Sequence, residues 1–128
     1  MTTLRTLVVL LVLSASLSAC SLLGRSGKNS VVGEWSYRVE APEEVYTGNL
    51  VVTKTDAGVA AAMQSDQPIG ALTVTNTTFD GGILMFDVDG PQSGRLKVKA
   101  TLDGDLLIGT VDNLTYDVAG MPLMATRK

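Results

Sequence analysis

An all-β domain of short antiparallel strands is the fold that the sequence predicts, and three observations carry the prediction. From Val31 to the end, apolar residues stand at every second position, the period at which one face of a strand is buried and the other wet. Asp and Gly recur together between these runs, where tight hairpin turns need a backbone with positive φ. Beyond the first 20 residues, no stretch of about eleven or more keeps the 3.6-residue period of a helix.

The first predicted strand, 33–40, alternates Trp35, Tyr37 and Val39 with Glu34, Ser36, Arg38 and Glu40. The second, 45–54, sets Tyr46, Gly48, Leu50 and Val52 on one face. The turn Asp56-Ala57-Gly58 leads to a third at 58–64, the nearest approach to a helix in this part of the chain. Gly58 and the flanking Asp56 and Asp66 favour a strand there, because Gly and Asp are poor helix residues. A fourth strand, 69–77, precedes the turn Asp80-Gly81-Gly82. Leu84, Phe86 and Val88 form the inner row of the fifth, 83–88, which ends at Asp89-Gly90-Pro91. The sixth, 94–102, is the clearest: Leu96, Val98, Ala100 and Leu102 oppose Arg95, Lys97, Lys99 and Thr101. Asp103-Gly104 turns into the seventh, 105–112, and the longest irregular stretch, 113–120, precedes the eighth, 121–127. Tyr116, Met121, Leu123 and Met124 lie around that stretch, as turn packing or as a sticky lip.

Tight turns make neighbouring strands pair in sequence order. Eight such strands close as an up-and-down barrel or stack as a β-sandwich. Closure removes exposed edges, and eight strands enclose a space that side chains fill or that holds one small ligand. A short internal similarity fits a meander: Gly48-x-Leu50-x-Val52 with Gly58 matches Gly94-x-Leu96-x-Val98 with Gly104 at an offset of 46 residues.

Residues 1–20 read MTTLRTLVVLLVLSASLSAC, with Arg5, an apolar run from Leu7 to Leu13, then small residues. This is the pattern of a secretion signal. The run is far short of the roughly 20 residues of a spanning helix. Leu17-Ser18-Ala19-Cys20 resembles the lipobox of bacterial lipoproteins. The resemblance implies a signal peptide at 1–19, cleavage before Cys20, and a lipid anchor on its sulfur that takes up palmitate. Ser21 after the Cys implies outer-membrane sorting in a Gram-negative envelope, facing the periplasm or the surface. An ordinary signal peptide cleaved near Ser18 is the alternative, and it leaves an unpaired exported thiol open to oxidation. Residues 20–30, rich in Ser, Gly and Asn, read as a flexible tether with a reach of about 20 Å, followed by a β-domain at 31–128.

The composition excludes several chemistries. With no histidine and a single cysteine, the chain has no Ser-His-Asp triad, no imidazole base, no His-ligated zinc and no intrachain disulfide. Without residues 1–19, 9 Lys+Arg stand against 13 Asp+Glu, a net charge near −4. Nucleic acid is therefore not an expected partner, since phosphate binding needs a clustered basic surface. Arg95, Lys97 and Lys99 fit a solvated strand face. Asp87-Val88-Asp89-Gly90 and Asp103-Gly104-Asp105 put paired carboxylates beside glycines, but neither continues into the spacing of an EF-hand, and hairpin turns account for both. Nothing marks a carboxylate pair for glycoside hydrolysis. The expectation is a non-enzyme without cofactor or metal.

Gly33-Glu34-Trp35 on the first strand and Arg127 on the last resemble the signature of the lipocalin and calycin group. The resemblance implies that Gly33, Trp35 and Arg127 close the base of a barrel, with the guanidinium over the indole. The chain from Val31 also resembles small β-modules appended to secreted bacterial hydrolases, which close with a strand like Pro122-Leu123-Met124-Ala125-Thr126-Arg127-Lys128. It departs from full lipocalins in its length and in lacking a C-terminal helical segment and a disulfide. Two functions follow as expectations. One is binding of a small hydrophobic ligand in a lumen walled by Trp35, Tyr37, Tyr46, Leu50, Leu84, Phe86, Leu96 and Val98. The other is contact with an envelope protein through the outer surface or loops of a filled barrel, as in similar-sized periplasmic inhibitors.

Overall fold

The computed structural model describes residues 30–128, which form eight antiparallel strands and no helix. The segments expected as signal peptide and, but for Ser30, as tether, with Cys20 of the lipobox resemblance, lie outside the described residues. The strands are β1 (Gly33–Glu40), β2 (Val45–Thr55), β3 (Gly58–Ser65), β4 (Thr73–Asp80), β5 (Ile83–Gly90), β6 (Gly94–Asp103), β7 (Leu106–Asn113) and β8 (Val118–Arg127).

They make one sheet in the order β3-β2-β1-β8-β7-β6-β5-β4. The first and last strands pair, Trp35 opposite Arg127 and Val39 opposite Leu123, so the sheet curls into a nearly closed up-and-down barrel. The alternative of two stacked sheets is thereby excluded. The ladder is interrupted at one place. β3 and β4 approach side by side without hydrogen bonding to each other, contrary to the expectation that every neighbour in sequence pairs.

Two hairpins use the turn chemistry that their residues supply. Gly81 and Gly82 both take positive φ, 59° and 78°, as a type I′ turn requires. In the β6–β7 hairpin only Gly104 does, at 61°. The close approach of strands depends on two other glycines. A Cβ on Gly48 would collide with the Gln64 carbonyl and the Tyr37 hydroxyl, and one on Gly109 with the Lys99 carbonyl. Both residues lie within strands, where the missing side chain lets the sheet coil tightly. Gly94, which the internal similarity aligns with Gly48, serves a different purpose, since it starts β6 at φ 73° with Thr115 against it.

Two boundaries differ from the sequence reading. The fourth strand runs over Thr73–Asp80 rather than 69–77. Gly70 sits at φ 85° against Pro91, so the chain at Ile69-Gly70 bends toward the β5–β6 turn before the strand begins. β4 then carries a bulge between Thr75 and Thr78, with Asn76 at φ 54°, and this shifts its inward positions by one residue. The eighth strand starts at Val118 rather than 121, leaving four turn residues where a longer irregular stretch is expected. Asn113 compacts that turn by accepting hydrogen bonds from the amides of Thr115 and Tyr116. Gly120, at φ 72°, donates its amide to Asp112 Oδ1, so the irregularity is absorbed inside the strand pair. The longest link between strands is therefore 66–72, between β3 and β4.

The inward rows pack a core whose most buried members are Trp35, Leu84, Phe86, Val88, Val98 and Leu107. Among the described residues no polar or charged side chain is fully buried. Apolar burial therefore holds the barrel together, at roughly 1.5–3 kcal/mol for each large side chain removed from water.

Candidate functional site

The two ends of the barrel differ. At one end lie the chain entry at Val31, the short turns of the β2–β3, β4–β5 and β6–β7 hairpins, and the end of β8. Val31 is only 1% exposed, and its carbonyl accepts a 3.0 Å hydrogen bond from Trp35 Nε1, which satisfies the one polar atom of the indole. Trp35, Leu50, Val52, Leu84, Phe86, Ala100, Leu107 and Ala125 fill this end.

Arg127 covers it. Its guanidinium carbon stands 4.3 Å from the centroid of the Trp35 ring, and its Nε reaches Asp105 Oδ1 at 3.2 Å. Nη1 donates to the carbonyl of Val32 at 3.2 Å and Nη2 to that of Gly104 at 3.4 Å. The guanidinium thus ties the entering chain, the last strand and the β6–β7 turn. Gly33 leaves room for it: a Cβ there would come within 3.2 Å of Nη1, at a φ of 146° that favours glycine. Lys128 extends the arrangement by donating to Asn49 Oδ1.

The other end is hollow. A chamber of about 350 Å³ lies among the β1–β2, β5–β6 and β7–β8 turns and the 66–72 link. Its wall is mainly apolar: Val39, Met63, Leu96, Val98, Val111, Val118 and Met121 from the strands, with Ile69 and Leu72 from the link. Tyr37, Tyr46 and Tyr116 supply aromatic surface, and Glu44, Gln92, Ser93 and Asn113 supply polar atoms. The volume is at the low end of the roughly 300–1,000 Å³ of small-molecule pockets.

Of the eight residues expected to wall a lumen, Tyr37, Tyr46, Leu96 and Val98 line the chamber. Trp35, Leu50, Leu84 and Phe86 point inward too, but they fill the closed end. Sequence alternation marks which residues face inward. It carries no information on how far along the barrel axis each one sits, because that depends on strand register. Val39 belongs to the same alternation, and Tyr116 and Met121 stand out in the sequence near the last turn. Ile69 and Leu72 have no such signal, since a strand over 69–77 would put them on opposite faces.

Polar contacts organise the rim. Asn113 Nδ2 donates to the Ser93 carbonyl at 3.0 Å, and the Tyr116 hydroxyl donates to the Gln92 carbonyl at 3.4 Å, tying the β5–β6 turn to the β7–β8 turn. Just beyond the last β2–β3 pair, Gln67 Oε1 accepts from the Thr47 amide and from Ser65 Oγ, each at 3.0 Å. The Thr47 hydroxyl donates to Asp66 Oδ2 at 2.9 Å. Burial raises the pKa of Tyr37, a hydrogen bond with Ser65 partly offsets this, and the Asp66 charge adds to the rise. Tyr46 is raised by burial first, then by the charge and hydrogen bond of Glu44 and by the Glu43 charge. Both phenols are thus neutral hydroxyls at physiological pH.

Three of the carboxylates singled out beside glycine turns in the sequence, Asp87, Asp89 and Asp105, have partners on the outside. Asp89 pairs with Arg95 at 3.5 Å, Asp87 accepts from Asn76 Nδ2 at 3.0 Å, and Asp105 holds Arg127. Lys97 stands in register between Asp87 and Asp112, so acids interleave with the basic stripe of β6. Among the described residues no group of three or more His, Cys, Asp or Glu side chains converges as a metal site.

The architecture is consistent with a lipocalin-like domain. Compared with protein-family models, curated proteins and solved structures, the chain matches none.

Proposed function

We propose that the protein is a lipid-anchored binder of a small hydrophobic molecule, carried on the cell envelope by Cys20 and working without catalysis or cofactor. The observation that carries the reading is the asymmetry of the barrel. The sequence packs one end with Trp35, Phe86 and Leu84 and closes it with Arg127, yet leaves about 350 Å³ open at the other behind a mainly apolar wall. A barrel built only as a scaffold gains stability by filling both ends, since unfilled space forfeits packing contacts. The described residues begin at the closed end, where Val31 accepts the hydrogen bond of Trp35. Sorting to the outer membrane, facing the periplasm or the surface, is part of the proposal and rests on Ser21 after the lipobox Cys.

Native mass spectrometry of the protein purified without detergent tests it. A reproducible added mass that organic extraction removes is the expected result, and Leu96→Trp, which places bulk in the chamber, abolishes it while leaving the β-sheet circular dichroism unchanged. A bare mass sinks the ligand reading. It favours the second reading, contact with an envelope protein. That alternative is supported by exposed Leu114 (56%) and Tyr116 (63%) on the β7–β8 turn, and like the first it has no place for nucleic acid as partner.

A further inference from the structure

We propose that the chamber selects molecules carrying a positively charged nitrogen on an apolar body, the class of aryl and alkyl ammonium compounds. The inference rests on the ligand-binding reading above and specifies its ligand.

The chain contains 3 tyrosines, and all of them line this one chamber, from three separate elements: Tyr37 on β1, Tyr46 on β2 and Tyr116 in the β7–β8 turn. Aromatic faces carry negative electrostatic potential and attract ammonium groups, most strongly where water is excluded. Among the described residues, the single ionisable acid or base in the wall besides these phenols is Glu44, an anion at the lip beside Tyr46. Its charge, with that of Glu43, is felt by the Tyr46 hydroxyl, and that of Asp66 by Tyr37, so the charges acting on these two phenols are negative.

Among the described residues no Lys or Arg lines the chamber. Arg38 pairs with Glu40 and Arg95 with Asp89 on the outer faces of their strands. A cation therefore enters against no like charge, whereas a carboxylate or sulfonate meets Glu44 with no counterion in the wall. The apolar body is accommodated by Met63, Leu96, Val98 and Met121.

The test is a calorimetric titration of the purified protein with three probes that share the phenylbutyl body: 4-phenylbutyltrimethylammonium, 4-phenylbutan-1-ol and 5-phenylpentanoate. The expected order of affinity is ammonium, alcohol, carboxylate, with about tenfold between the first two. Glu44→Gln and Tyr46→Leu each reduce the ammonium's advantage over the alcohol. Equal affinity for all three probes, or equal losses for ammonium and alcohol in both variants, overturns the cation selectivity and leaves a plain hydrophobic pocket. Absence of binding by every probe overturns the selectivity too, and counts against the ligand-binding reading on which it rests.

Discussion

The contacts of the Arg127 side chain with Asp105 and with Trp35 differ in their energetics. Its pair with Asp105 is 81% exposed on the acid side, where solvent leaves little net stabilisation. The contact with Trp35 is desolvated on the indole side, since that ring is fully buried and the Arg127 side chain is only 19% exposed. The stacked contact should dominate, at about 0.5–2 kcal/mol. A double-mutant cycle between Trp35→Phe and Arg127→Met, read by urea unfolding, is expected to show coupling in that range, and additive effects would remove the closing role of the pair. Asp105→Asn should cost much less. The same residue scale explains Gly33: the guanidinium occupies the side where its Cβ would stand.

At the scale of elements, the seam between β3 and β4 is the weak place in the barrel. Two strand edges that do not pair leave backbone groups to be satisfied by other means. Beside the seam, the 66–72 link prolongs the β2–β3 pair through Gln67, whose side-chain carbonyl takes the place of a β3 partner for the Thr47 amide on β2. Gln67→Ala removes that acceptor and the partner of Ser65, at a cost of about 1 kcal/mol for a partly exposed site. Amide hydrogen exchange is expected to accelerate first at Thr47 and along β3, with β6 and β7 unaffected. Uniform acceleration through the whole sheet would show that the seam does not open on its own. The sequence reading continues the strand pattern back to Ile69, inside this link. Gly70 against Pro91 breaks that pattern only through a contact across the barrel rim.

For the whole molecule, the placement of the anchor and of the hollow end are separate questions. If the lipobox reading holds, Cys20→Ala abolishes palmitate incorporation and releases the protein from membranes, because stable attachment of a β-domain here depends on the acyl chains. Continued labelling would refute it. The barrel itself is legible in outline. Seven of the eight predicted strands overlap the observed ones nearly end to end, or differ only in where β8 begins, while β4 is displaced. Alternation of period two and glycine turns are properties of short segments, so the primary sequence alone determined the class, the number of strands and, outside β4, the residues that face inward. Which end stays hollow, where the ladder breaks and which inward residues share the chamber were decided by the tertiary structure. They depend on registers summed around eight strands, on the bulge in β4, and on a link that bends where Gly70 meets Pro91, and no segment of the chain contains those distances by itself.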